Sequence, residues 1–459
     1  MTKKMKIWLK NPLAVAVDKD IDGSGGIVIE DSRIVQVLGR GGQPSGKIDQ
    51  IFDASEHVII PGLINTHHHF YQTLTRACPP ALNKKLFPWL KSLYPIWAGL
   101  TEDMIHISTR LAAVELLLSG CTLAADHHYI FPEAAPEALD IQVDAIKQSG
   151  IRATLTRGSM SLGEDDGGLP PRNTIQTEDV ILGDCERVIE RYHDGNDGAM
   201  MQVALAPCSP FSVTEDLMRQ SAQLAREKKV RLHTHLAETH DETNFCIELF
   251  GVRPVDYLER VGWLADDVWL AHGIHFNEEE ISRLGRAGVG ISHCPSSNMI
   301  LGSGQCPVAD LEKAGCPVGL GVDGSASNDC SNMIQEVRQA LMLQRLRYGS
   351  SATTHFDALR WATKGSAKCL GRNDVGEVAF GKQADLALFK LDETRFSGAG
   401  DPLAALLLCG AHKADYVMVA GKWKVEKGQL ADVDLPELLD AHGRAARDLL
   451  SATQFREGC

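Results

Sequence analysis

Residues 61–70 read PGLINTHHHF, an apolar run that ends in three consecutive histidines. Successive side chains of a strand point to opposite faces, so His67 and His69 share one face while His68 points the other way. A histidine pair at the carboxyl end of an apolar strand is the placement expected in a (β/α)8 TIM barrel, whose reactive groups gather at that end. Downstream, further strand-like runs alternate with amphipathic helical stretches at intervals of about 30 to 40 residues, the cadence of βα units. Eight strands are expected, ending near Asn65, Asp126, Thr156, Pro207, His235, His272, His293 and Asp323. An open, doubly wound sheet is the alternative architecture.

The flanks have a different texture. GGIVIEDSRIVQVLGRGGQPSG near the start, and VGEVAFGKQADLALFK and DYVMVAGKWKVEKGQL near the end, are short apolar runs split by turn residues. Unpaired strand edges are a liability, so the two flanks are expected to join into one small β-sandwich. The predicted organisation is therefore a composite sandwich from residues 1–60 and 372–459 around a hydrolase barrel at 61–371, with a closing helix near Leu435 to Ala452. The polar stretch GEDDGGLPP, Gly163 to Pro171, is expected to be a lid over the barrel mouth.

A formal charge of −14 disfavours nucleic acid and anionic membrane as partners, because phosphate binding draws on clustered Lys and Arg. A small, neutral substrate suits the chain better. No segment is long and apolar enough to span a bilayer or act as a signal peptide, so a cytoplasmic location is expected. The 12 cysteines include no C-x-x-C pair and are read as reduced, mostly buried thiols.

The other polar strand ends supply the chemistry. VRLHTHLAE places His233 and His235 on one strand with Glu238 just beyond. VWLAH ends in His272, and GLGVDGSASND carries Asp323 in a glycine-rich turn. Neutral imidazoles beside a carboxylate are a zinc-and-base arrangement, and four strands delivering such groups to one rim seldom do so by coincidence.

On these residues the chain resembles the amidohydrolase superfamily, in its cytosine and guanine deaminase-like branch. The resemblance runs from PGLINTHHH through HTHLAE, the AHG turn, HCPSSN (His293 to Asn298), VDGSASN (Val322 to Asn328) and GKQADLALF. It implies metal ligation by His67, His69, His235 and Asp323, with Glu238 as proton shuttle and His272 and Asp323 orienting the nucleophile. His233, His275 and His293 are left in supporting roles. Binuclear members carry a carbamylated lysine on the fourth strand; MQVALAP, Met201 to Pro207, has none, so one Zn2+ is expected, with Fe2+ as the alternative. Members of the superfamily commonly associate, so a homo-oligomer is also implied.

The implied reaction is hydrolytic removal of an exocyclic amino group from an amidine-like ring. Gln72 sits where guanine deaminases place a ring-facing glutamine, but Cys208 stands where they carry an arginine. HHHFYQTLTR with APCSPFSV is most similar to the group acting on 8-oxoguanine, related to hydroxyatrazine-type aminohydrolases. Trp97, Trp89 and Tyr129 are candidate stacking surfaces. Guanine or isocytosine, and triazine or S-adenosylhomocysteine-type substrates, remain alternatives, as does a noncatalytic binding protein on the same fold.

Overall fold

In a computed structural model, which describes residues 5–454, the central segment closes into the expected parallel barrel. Its strands are Leu63–Asn65, Cys121–His128, Arg152–Ser159, Met201–Pro207, Leu232–Leu236, Val268–His272, Gly290–His293 and Val318–Leu320. Each strand pairs in parallel with the next, and Leu320 pairs with Asn65 to close the ring. The strands are nearly continuous buried runs, the pattern of a sheet covered on both faces.

Three strand ends differ from the sequence expectation. The second strand continues past Asp126 to His128, and the third past Thr156 to Ser159, because pairing with the neighbouring strands persists that far. The eighth stops at Leu320, so Asp323 stands in the turn beyond the strand. Thr101, Thr214 and Asn277 cap outer helices by accepting backbone N–H groups of the first turn.

The flanking segments form two sheets that interleave the ends of the chain. One holds Arg33–Leu38, Gly26–Glu30, Lys6–Lys10 and Gln50–Asp53. In the other, His57–Pro61 from the early flank lies between Leu386–Lys390 from the late flank and Ala14–Val15. Ile7, Leu9, Ile27 and Ile29 of the first sheet share a core with Ile59, Leu386, Leu388 and Met418 of the second. Each such side chain contributes about 1.5–3 kcal/mol by leaving water.

Barrel and sheets are joined by a buried ion pair. Arg152, on the third strand, directs Nε and Nη2 at the two carboxylate oxygens of Asp385 (2.7 and 3.1 Å), and Nη2 also donates to Gln383 Oε1. The closing helix, Leu435–Gln454, packs along the barrel helix Glu102–Leu118. Its Leu449 belongs to the same apolar cluster as Trp89, Leu90 and Tyr94.

Candidate active site

At the carboxyl ends of the strands, the side chains of His67, His69, His235 and Asp323 converge. Nε2 of His67 and Nε2 of His69 lie 3.2 and 3.3 Å from Oδ1 of Asp323, and Nε2 of His69 lies 3.2 Å from Nε2 of His235. Donors about 2.0–2.2 Å from a shared zinc-like ion stand roughly 3.3 Å from one another, and these three separations match that spacing. Nε2 of His67 is buried with no hydrogen-bond partner of its own, as a lone pair reserved for a cation would be.

The tautomers follow from the partners. Nδ1 of His69 faces the carbonyl of His127 at 2.7 Å, and Nδ1 of His235 faces that of Cys208 at 2.6 Å. A carbonyl only accepts, so both Nδ1 atoms carry the proton and both Nε2 lone pairs are free. His67 is held differently, with Nδ1 2.8 Å from Nε2 of His233, whose own Nδ1 lies 2.8 Å from the carbonyl of Trp269. That carbonyl fixes the proton of His233 on Nδ1, leaving its Nε2 to accept from His67. His233 also stacks on Trp269 at 4.4 Å. It is therefore a support that sets the orientation and tautomer of His67.

Burial depresses the pKa of His67, His233 and His235, which keeps them neutral and able to donate lone pairs. Burial alone would raise the pKa of Asp323, but the adjoining imidazoles of His67 and His69 hold it well below the usual range. Burial raises Glu238, and Asp323 adds to that effect while His272 and Ser303 oppose it. His272 moves upward, because Glu238 and Asp323 together outweigh its burial.

Glu238 and His272 stand beside this cluster. Nε2 of His272 is 3.4 Å from Oε2 of Glu238 and 3.9 Å from Oδ2 of Asp323. Nδ1 of His272 is 3.0 Å from Oδ1 of Asn298, while the hydroxyls of Ser297 and Ser303 donate to Asp323 (2.6 Å) and Glu238 (3.0 Å). Ala237, His272 and Asp323 adopt left-handed backbone conformations, with φ of 54°, 71° and 63°. Such strain in non-glycine residues concentrates where surrounding contacts fix a functional geometry.

A cavity opens onto this cluster. It is lined by His69, His235, Glu238, His272 and Asp323 on the floor and by Leu86, Trp89, Leu90 and Tyr94 of the helix Leu86–Trp97 on the roof. Of the sequence-predicted contacts, Gln72, Cys208 and Tyr129 line it and Trp97 does not. Trp97 lies behind the wall, its ring edge-on to Tyr71 and its Nε1 donating to Oγ1 of Thr75 at 3.2 Å. Trp89, eight residues earlier on the same helix, takes the lining place and donates Nε1–H to the carbonyl of Ala326. Oε1 of Gln72 faces the Ala326 N–H at 3.4 Å, leaving its Nε2 unpartnered. A Cβ on Gly324 would stand 1.9 Å from that Oε1, so any other residue here would displace the Gln72 amide.

The remaining histidines sort themselves by contact. Nδ1 of His68 accepts the His69 N–H, and Nε2 of His275 donates to the carbonyl of Ser303. Neither ring nitrogen of His293 has a partner. Sequence reasoning assigned nothing to His127, yet it offers a nitrogen within 4.8 Å of those of His67, His69 and His235. The signal was the DHHY run at residues 126–129, masked by ending the strand at Asp126. The segment Gly163 to Pro171 is largely exposed beside the cavity, with Leu169 donating its N–H to the carbonyl of Phe211, a cavity-lining residue. Among the described residues no helix is long and apolar enough to cross a membrane.

A parallel barrel that presents imidazoles, an aspartate and an adjoining glutamate on its carboxyl rim defines a metal-dependent hydrolase. The chain belongs to the amidohydrolase family, whose model matches residues 58–424. It is 61% identical over 446 residues to an 8-oxoguanine deaminase of Pseudomonas aeruginosa, a match covering 97% of this chain and 99% of that one. It is 38% identical over 391 residues to a hydroxydechloroatrazine ethylaminohydrolase of Pseudomonas sp. strain ADP, covering 83% and 80% of the two chains. Among solved structures, an atrazine chlorohydrolase from Arthrobacter aurescens complexed with zinc superposes with a TM-score of 0.91 at 32% identity, covering 96% of this chain and all (100%) of that one.

Proposed function

We propose that this protein is a hydrolytic deaminase that converts 8-oxoguanine and water to uric acid and ammonia, using one divalent cation held by His67, His69, His235 and Asp323. The observation that carries the reaction type is the convergence of Glu238, His272 and that ligand set on one small cavity. The choice of 8-oxoguanine rests on the 61% identity to the Pseudomonas aeruginosa enzyme along almost all of both chains. Cys208 supports it: burial pushes its thiol up to about 12, so this wall presents a small neutral group to a neutral purine edge.

A cation bound at this site supplies Lewis-acid activation of water near neutral pH, and zinc suits a nitrogen-rich donor set. The chain's own groups do the rest. Glu238 accepts a proton from the attacking water and delivers it to the ring nitrogen beside the amino-bearing carbon, which makes that carbon more electrophilic. Its burial-raised pKa suits a group that must both take and give the proton. His272 and Asp323 hold the water in line, and Asn298 and Ser297 fix those two side chains. The tetrahedral carbon then collapses: the new hydroxyl gives up its proton to the amino group and becomes the carbonyl, and ammonia leaves.

The test is ammonia release by the purified protein from 8-oxoguanine, guanine, isocytosine, hydroxyatrazine and S-adenosylhomocysteine. A kcat/KM highest for 8-oxoguanine is expected, and a clear preference for S-adenosylhomocysteine would overturn the substrate assignment.

A further inference from the structure

The helix His240–Phe250 begins just past Glu238, and its third residue, Glu242, is fully buried yet does not line the cavity. Thr239 caps this helix by accepting the Glu242 N–H at 3.4 Å. In a capping box the residue at that position returns a bond to the N–H of the cap itself, as Glu280 does to Asn277 at the start of the helix Glu278–Ala287. Glu242 reaches further back. Its Oε1 accepts from the N–H of Ala237 and its Oε2 from the N–H of Glu238, both at 2.9 Å.

Those two amides belong to the left-handed turn that follows the fifth barrel strand, with φ of 54° at Ala237. The carbonyls of the same turn are held from the opposite side. Leu236 O accepts from the Gly273 N–H at 3.1 Å, and Ala237 O from the N–H groups of Ile274 and His275 at 2.9 and 3.0 Å. The backbone that carries Glu238 is thereby bolted to the backbone just past His272, and the two side chains stand 3.4 Å apart. Among the described residues no Lys or Arg pairs with the Glu242 carboxylate. A buried carboxylate without a cation is costly, and the two amides of the turn are what compensates this one.

We propose that Glu242 is a positioning residue for the deamination, which holds both amides of the Ala237–Glu238 turn and so aims the Glu238 carboxylate at the reacting groups. It touches no substrate and acts through Glu238 alone. This rests on the functional reading above, in which Glu238 moves the proton. Glutamine in its place offers one accepting oxygen where two are used, so one amide loses its partner and the turn shifts. A displacement of about 1 Å at a reacting group lowers the rate about a hundredfold.

The experiment measures kcat and KM for the parent, Glu242→Gln, Glu238→Gln and the double variant. The substrate is whichever of 8-oxoguanine, guanine, isocytosine, hydroxyatrazine and S-adenosylhomocysteine the parent deaminates fastest, and each preparation is checked for equal metal content. Glu242→Gln should lower kcat about 10- to 100-fold with KM changed less than twofold. Added to Glu238→Gln it should change kcat less than twofold, because a residue acting through Glu238 has nothing left to position. Should Glu242→Gln not fold, Glu242→Asp carries the test: it keeps the carboxylate but is one methylene too short to reach both amides, and the same pattern is expected. A parental kcat, a loss carried in KM, or equal falls in the presence and absence of Glu238 would overturn the role of Glu242 and leave the deaminase reading intact. A parent that releases ammonia from none of the five, or a Glu238→Gln variant with parental turnover, would overturn both.

Discussion

The floor and the roof of the cavity are built on different principles. Floor residues sit on or just past strand ends, and each is fixed by a partner in the protein: His69 and His235 by carbonyls, His67 by His233, His272 by Asn298 and Asp323 by Ser297. The roof is one helix whose Leu86, Trp89, Leu90 and Tyr94 close the space mainly with apolar surface. The floor thus holds reacting groups in one orientation, and the roof decides which ring system fits beneath it. Rate should be sensitive to the first and selectivity to the second.

The sharpest way to break this division is Glu238→Gln. The variant should keep its metal and lose about 10²–10⁴-fold in kcat, as loss of one general acid–base group typically does. Metal analysis beside steady-state kinetics checks this, and near-parental turnover removes Glu238 from the mechanism.

His233 tests whether supports on the floor matter as much as ligands. His233→Leu leaves Nδ1–H of His67 without an acceptor and should weaken metal affinity about 10–100-fold. His233→Gln, whose amide oxygen can accept that hydrogen, should recover much of the loss. Competition with a chelator measures both, and indistinguishable affinities would make the His67–His233 contact incidental.

Buried imidazoles also set how the floor responds to acid. Burial holds His128 and His293 at about 3, below the ordinary value of 6.5. The unfolded chain therefore takes up protons first as pH falls. Stability from these residues is complete above about pH 6.5 and erodes on the way down to about pH 3. Each should cost about 2 kcal/mol between pH 7 and pH 5. Denaturant titrations of the parent and of His293→Met at both pH values test this. The variant should lose about 2 kcal/mol less than the parent on acidification, and equal losses would exclude His293 as a contributor.

On the roof, Trp89→Leu should raise KM about tenfold with little change in kcat, in line with the worth of one aromatic stacking contact. A fall in kcat of the same size would mean that the roof also aligns the reacting groups.

The same contrast explains what could be read from the sequence. Strand-end residues announce themselves, because alternation in PGLINTHHHF and VRLHTHLAE fixes which histidines share a face before any neighbour is known. The roof helix is another matter. Helical spacing puts Leu86, Trp89, Leu90, Leu93, Tyr94 and Trp97 on one buried face, but its tilt over the barrel decides which reach the cavity, so Trp97 was an expected contact and Tyr94 was not. His127 escaped notice for a third reason. A strand end is set by hydrogen bonds to a neighbour distant in sequence, and two further residues of pairing turn DHH from a loop into barrel interior.

The left-handed turns at Ala237, His272 and Asp323 carry a consequence for heat tolerance. Conformations of this kind cost about 1–3 kcal/mol apiece, which together rivals the net stability of an entire domain. Selection for ruggedness would press on this rim first, where Ala237→Gly can relax the chain. At His272 and Asp323 the same relief would forfeit the side chains proposed to position the attacking water. The enzyme's thermal ceiling is thus tied to its turnover at two residues.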